Sequence, residues 1–302
     1  MFGSQLHNNR TTWEAVEATV KKMEEGRWTS AWVYDHFLPP FSRTAEVMEH
    51  DLHDTFEGWS LLCGMAAVTD RLLLGVLVTG NTYRNPALLA KMAATLDHIS
   101  NGRAILGIGA GWNVREHEAY SWRFPSMQER QDRLEEACEL IKKLFLANGL
   151  IDYEGKHYQL SQAPFAPKCV QKPHVPIMVG GRGEKRTLRT LAKYGDIMNV
   201  ICGPDEVVRL GEVLAGHCEA IGRDPAEIQR TAHVPMRVEN DPDRAAKIRG
   251  DRDWAMIGTR DEVIQKTQAF IDAGITEFTL QAIPNRPEIY AELDSEVLSA
   301  FD

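Results

Sequence analysis

One pattern recurs along the chain. A short apolar run is followed by a capped stretch with apolar residues at helical spacing. The first run is Phe2–Leu6. Thr11-x-x-Glu14 then reads as a capping box, and Val16, Val20 and Met23 share one face of a helix that ends at Gly26. TSAWVYDHF predicts the second strand, and a helix follows over about Phe56–Val68. Arg71–Val78 predicts the third strand. Asn85-Pro86 opens a helix that turns Leu88, Leu89, Met92, Leu96 and Ile99 inward, with Asn101-Gly102 as its C-terminal cap. RAILGIG is the fourth strand. Ser126-x-x-Glu129 starts a long helix to about Leu146.

Residues 147–175 break the rhythm. IDYEGKHYQL predicts a β-hairpin turning near Glu154-Gly155, with a proline-bearing loop after it. The rhythm resumes with VPIMVGG, a helix Glu184–Tyr194, the strand DIMNVI, a helix Asp205–Ile221 and the strand IQRTAHVPM. A polar stretch, 239–253, precedes a helix opened by Thr259-x-x-Glu262 and ending at Ala273. TEFTLQAI and Glu288–Phe301 close the series.

Eight strands, each followed by a helix, close most naturally into a (β/α)8 TIM barrel of α/β class, typically ~250 residues long. At 302 residues the chain reads as one such domain, 1–302. The surplus predicts loop insertions at the C-terminal face of the strands, with 147–175 and 239–253 lying over the mouth. A doubly wound sheet is the competing fold, but its early GxGxxG is missing from GSQLHNNR, and the glycines of GIGAGW come too late for it.

Composition narrows the partners. The net charge of −9 argues against nucleic acid. No apolar run approaches the ~20 residues of a membrane span, and MFGSQLHNNR lacks the features of a signal peptide. The expectation is a cytoplasmic protein with a small-molecule substrate. Cys63, Cys138, Cys169, Cys202 and Cys218 are odd in number and widely spaced, which predicts reduced structural thiols. His50 and His53 lie three apart beside acidic residues and make a poor metal pair; no metal is expected.

In a barrel the active site forms at the C-terminal strand ends. Asp35-His36 ends the second strand, where the histidine suits proton transfer; a loop histidine beside a capping aspartate is the plain alternative. Leu77, Val78 and Thr79 end the third, with Arg84 supplying a charge; an ordinary loop explains them as well. After the fourth, Gly107, Gly109 and Gly111 allow close approach of a flat ligand, with Trp112, Asn113, Glu116 and His117 at the rim; relief of crowding is the alternative. After the fifth, Gly180-Gly181 before a helix start, with Arg182, Lys185 and Arg186, predicts an anion site.

SAWVYDHF, RLLLGVLVTGNTYRNPALLAKMAATLDHISNGRAILGIGAGWNVREHEAY, ERQDRLEEACELIKKLF, YEGKHYQL and PHVPIMVGGRGEKRTLRTLAKYGD together resemble the bacterial luciferase-like superfamily, and most strongly its coenzyme F420-dependent oxidoreductase branch. The resemblance spans roughly residues 2–285. It implies a flavin or deazaflavin at the strand ends, with Asp35-His36 beside the ring and a non-prolyl cis peptide at Leu77–Val78 behind it. It further implies contacts from Ala110, Gly111, Trp112 and Asn113 to the ring and its side chain, and a phosphate on Gly180-Gly181. Its homologues are often dimers, so a homodimer is expected. Sugar-phosphate dehydrogenases of the branch carry a glutamate where Trp112 stands, and this departure with Trp122 suggests a flatter, more apolar substrate. The expected activity is hydride transfer between coenzyme F420 and a small organic substrate. His36 is the expected proton donor or acceptor, oriented by Asp35. An FMN-dependent monooxygenase using reduced flavin and oxygen is the alternative on the same barrel, and a non-catalytic flavin-binding barrel is a third reading.

Overall fold

The computed structural model describes residues 1–39, 54–281 and 283–302; His50 and His53 lie outside them. In chain order the first half runs β1 (Phe2–Gln5), α1 (Trp13–Glu25), β2 (Trp28–Val33), α2 (Gly58–Ala67), β3 (Leu73–Val76), the short β4 (Thr79–Gly80), α3 (Pro86–Ile99), β5 (Ala104–Gly109), α4 (Val114–Ala119) and α5 (Met127–Leu146). A hairpin of β6 (Leu150–Glu154) and β7 (Gln159–Pro164) leads to β8 (Ile177–Gly180), α6 (Thr187–Tyr194), β9 (Ile197–Val200) and α7 (Pro204–Glu219). Then come β10 (Gln229–Val238), α8 (Pro242–Arg249), β11 (Met256–Gly258), α9 (Arg260–Asp272), β12 (Glu277–Gln281) and α10 (Pro287–Glu296).

Eight of these strands pair in parallel in the order β1-β2-β3-β5-β8-β9-β10-β12, and β12 returns to β1 with Phe2 opposite Phe278. The circle is closed, as the strand count predicts. β4 extends the β3 side along β5, and β11 pairs with the outer half of β10. No helix among the described residues is long and apolar enough to cross a membrane.

Closure sorts side chains by the strand period of two. Outward residues such as Ala31, Val33, Leu74, Leu106 and Val179 pack under the helices in the main core. Inward residues stack in levels. At the bottom, Glu277 accepts from Ser30 Oγ at 2.5 Å and Gln229 Nε2 at 3.1 Å, and Ser30 accepts from Trp32 Nε1 at 2.7 Å. Above lies an apolar plug of Trp32, Ile105, Met178 and Ile197. Above that the interior turns polar again, with Asn199, Thr231, His233 and Thr279 all buried.

Local signals place most helix ends. Ser126 caps α5, Asn85 caps α3, and Thr259 with Glu262 forms a reciprocal capping box on α9. Four expectations need correction. The cap of α1 is Thr12, whose Oγ1 accepts from Ala15 N at 3.3 Å, not Thr11. On α3 the buried stripe runs through Leu89, Ala90, Ala93, Ala94 and Leu96; the small alanines seat the helix closely, and Leu88 and Ile99 face outward. The helix after β8 begins at Thr187, because residues 184–186 form a turn. Finally, neither insertion lines the mouth. The 147–175 hairpin packs along α5, where Glu136 accepts from His157 N and Tyr158 N at 2.9 and 2.8 Å. Tyr158 reaches the turn after β3, accepting from Asn81 Nδ2 at 3.2 Å. Residues 239–253 hold α8, packed on β11.

Arg103, at the foot of β5, ties α2 and α3 to the sheet. It donates to Ser100 O, Thr69 Oγ1, Leu72 O, Ala66 O and Thr69 O, at 2.6 to 3.2 Å. A lysine cannot reproduce this fork. Arg103→Lys is expected to lower stability by about 3 kcal/mol, read from urea midpoints, since several buried carbonyls lose their donor. His233 makes a second prediction. Burial pulls its imidazole down to about 4, only partly offset by its bond to Thr279. The unfolded chain therefore binds more protons between pH ~6.5 and 4. Stability is fully present above that window and falls by up to about 3 kcal/mol across it on acidification. A His233→Gln variant should show a shallower acid limb; equal limbs would falsify the assignment.

Candidate active site

The strand ends open on a cavity of about 980 Å³, at the upper end of small-molecule sites (~300–1,000 Å³). One wall comes from β3, β5 and β8 and their turns: Leu77, Val78, Thr79, Gly109, Ala110, Gly111, Gly180 and Gly181. The Leu77–Val78 peptide is cis, at the position expected. Trp59 Nε1 donates to Thr79 Oγ1 at 2.9 Å and fixes that turn from behind.

The glycines do two jobs. A Cβ on Gly109 would stand 2.9 Å from Val78 Cγ2, and one on Gly180 the same distance from Val78 Cγ1; on Gly107 it would collide with the Val76 carbonyl. These three let the β3 turn seat against β5 and β8, so crowding accounts for part of what a flat ligand was expected to explain. Gly111 (φ +80°) and Gly181 (φ +126°) occupy backbone conformations that side chains disfavour.

His36 lines the cavity, and its Nδ1 lies 3.0 and 3.1 Å from the two oxygens of Glu116. Glu116 is fully buried and also accepts from Phe37 N at 2.9 Å, Leu38 N at 3.1 Å and the Tyr83 hydroxyl. Burial alone would raise its carboxyl, but His36, Tyr83 and the Leu38 N–H outweigh this and hold it below the usual range. An ionised Glu116 can only accept, so His36 Nδ1 carries a proton and Nε2 is the ring's remaining nitrogen. Trp112, half exposed at the rim, meets the imidazole edge-on at 5.1 Å between centroids.

Asp35 does not orient His36. Its carboxylate turns the other way and takes a two-pronged bond from Arg84 at 2.6 and 3.0 Å, while Arg84 also reaches Glu57 at 2.6 Å. Both residues lie just beyond the end of β2, and their side chains take different partners. Burial pushes the Asp35 carboxyl up to about 6 against the pull of Arg84.

The basic cluster also divides. Arg182 lines the cavity beside Gly180 and Gly181, whereas Arg186 pairs with Asp132 on α5. Gly181 N donates to Asn199 O at 3.1 Å. Donors for an anion there therefore belong to the loop 182–187 and the Arg182 side chain. Asn113 does not line the cavity; its carbonyl lies 2.6 Å from His117 Nδ1, and His117 Nε2 meets Thr82 Oγ1 at 2.8 Å. This pair props the β5 loop against the β3 turn.

The remaining strands add lining residues that sequence reasoning missed: Gln5 on β1, Asn199 on β9, His233 on β10 and Gln281 on β12. Gln5, Asn199 and Gln281 sit at or next to the C-terminal ends of their strands, the signal that singles out Asp35-His36, whereas His233 lies mid-way along β10. Glu116 is visible in the sequence as a rim residue, but its partners are not.

A family model for luciferase-like monooxygenases matches residues 1–255. An F420-dependent glucose-6-phosphate dehydrogenase from Kineococcus radiotolerans is 32% identical over 238 residues, covering 77% of this chain and 66% of that protein. A phthiodiolone/phenolphthiodiolone dimycocerosates ketoreductase from Mycobacterium bovis is 33% identical over 217 residues, covering 67% and 55%. The chain thus spans between about half and two thirds of the length of these relatives. The structure of an F420-dependent secondary alcohol dehydrogenase with an F420–acetone adduct superposes at a TM-score of 0.85 with 20% identity, over 100% of this chain and 99% of that one, which shows the shared fold. With the closed barrel and a family match over most of its length, the chain belongs to the luciferase-like monooxygenase family.

Proposed function

We propose that this protein is a coenzyme F420-dependent oxidoreductase that moves a hydride between the deazaflavin and a small organic substrate. The observation that carries the reading is His36. It stands in a cavity of cofactor size, its Nδ1 proton committed to a buried carboxylate. The names of the relatives support the same cofactor.

The residues present fit such a group. Gly109 and Gly180 carry no side chain and let Val78 pack against β5 and β8, and with Leu77 and Val78 they line one side of the cavity. Arg182 and the loop 182–187 supply positive charge and N–H groups at one end, suited to a phosphate. When bound, the deazaflavin supplies the hydride acceptor or donor. The chain supplies placement and proton control. Glu116 fixes the His36 tautomer. His36 Nε2 is the atom placed to take or give the proton that accompanies hydride transfer. Asp35, locked to Arg84, holds the strand-end segment that carries His36.

Two measurements test the reading. Titration with F420 and, separately, FMN is expected to give saturable fluorescence quenching with F420 alone. FMN binding with oxygen uptake by the reduced flavin would select the monooxygenase chemistry instead. Against whichever substrate the holoenzyme turns over, His36→Ala should lower kcat by roughly 100-fold or more while F420 still binds. Unchanged kcat removes the proton role.

A further inference from the structure

Four consecutive strands of the closed barrel, β9, β10, β12 and β1, each send one polar side chain into the cavity: Asn199, His233, Gln281 and Gln5. How each is turned follows from its partners. The Thr231 hydroxyl donates to Met198 O at 2.8 Å and the Thr279 hydroxyl to Ala232 O at 3.3 Å. Both oxygens are left to accept, and they accept from Asn199 Nδ2 at 2.8 and 3.2 Å. Asn199 has thereby spent both N–H bonds, and its Oδ1 is an unused acceptor.

His233 Nδ1 lies 2.6 Å from Thr279 O, a carbonyl that can only accept. Nδ1 therefore holds the single proton of the neutral ring, and Nε2 is a lone-pair acceptor. Gln281 Nε2 donates to His233 O at 3.3 Å, and Gln5 Nε2 donates to Leu77 O at 3.0 Å. Each carries a free Oε1 beside one remaining N–H. Asn199 is 5% exposed and His233 7%, and both line the cavity. A ligand that displaces water from the cavity must supply donors to these acceptors or leave them unpaired at a cost.

The geometry points to a substrate subsite on this arc for an uncharged hydroxyl-bearing group, an alcohol or polyol. This rests on the F420 reading for the placement of the cofactor against the Leu77–Val78 wall, which the arc meets where Gln5 bonds Leu77 O. Hydroxyl hydrogens satisfy Asn199 Oδ1 and His233 Nε2, and hydroxyl oxygens take the remaining N–H of Gln5 or Gln281. A carboxylate or phosphate would bring lone pairs against lone pairs. Among the described lining residues the cations are Arg10 and Arg182, both exposed at the rim and on other segments.

The test uses the full chain and three probes on one ring: cyclohexanol, methoxycyclohexane and cyclohexanecarboxylate. Affinities are read by ligand-observed NMR with and without F420. Cyclohexanol is expected to bind about tenfold more tightly than the ether, which lacks the donor, and than the carboxylate. Gln281→Met should narrow the alcohol-to-ether ratio, and Gln281→Lys should move the carboxylate ahead of the alcohol. Equal affinities, a preference for the carboxylate in the unmodified protein, or no detectable binding of cyclohexanol overturns the subsite. Displacement of cyclohexanol by F420 overturns its assignment to substrate. Failure of F420 to bind counts against the functional reading, while the probe ratio without F420 still decides this one.

Discussion

Closing eight parallel strands into a circle forces every second side chain into a narrow space, and the rest of this protein follows from how that space is filled. The bottom level is a satisfied polar knot around Glu277. The middle is sealed by Trp32, Ile105, Met178 and Ile197. That plug keeps bulk water from entering from below. Polar groups above it are left to the protein or to a ligand, and the same alternation that buries the plug delivers Asn199, His233 and Gln281 to the cavity floor.

Glu116 plays the corresponding part among the loops. Strand-end loops are the mobile and variable parts of a barrel, yet a site needs them held to fractions of an ångström. One buried carboxylate collects His36, Phe37 and Leu38 from the β2 loop and Tyr83 from the β3 loop onto the β5 loop. Charge-assisted bonds in a dry setting are well suited to this. The second strap, Asp35–Arg84–Glu57, joins the β2 and β3 loops to the start of α2.

The fold was legible because its signals are local. Caps at Asn85, Ser126 and Thr259 sit one residue before their helices, and eight apolar runs mark eight strands. What the chain hides is height and direction. Nothing in IDYEGKHYQL says that the hairpin lies along α5 rather than across the mouth, because that depends on which end of α5 the chain leaves. Adjacent Asp35 and His36 suggest a pair, but their side chains take different partners. The Arg182–Arg186 run looks like one charge cluster, and Asp132, more than fifty residues away, divides it. The position of Leu77–Val78 was recoverable through family resemblance, not through spacing. Asn199, His233 and Gln281 carry no motif in their strands, and only closure of the circle makes them neighbours.

The substitution at Trp112 can now be weighed against the carboxylates that remain. The family resemblance implies a glutamate there in sugar-phosphate dehydrogenases, and two acidic side chains still flank His36. Neither replaces it. Asp35 is bound on both oxygens by Arg84, and Glu116 is fully buried with its oxygens taken by four donors. Each carboxylate is spent on architecture, with its charge balanced by its partners. On the proposed reading, proton transfer then falls to His36 Nε2. The proposed substrate arc of Gln5, Asn199, His233 and Gln281 carries no charged side chain, and Trp112 meets the imidazole edge-on at the rim. A phosphorylated substrate would have to leave its charge unmatched on that arc, whereas a neutral alcohol finds partners there.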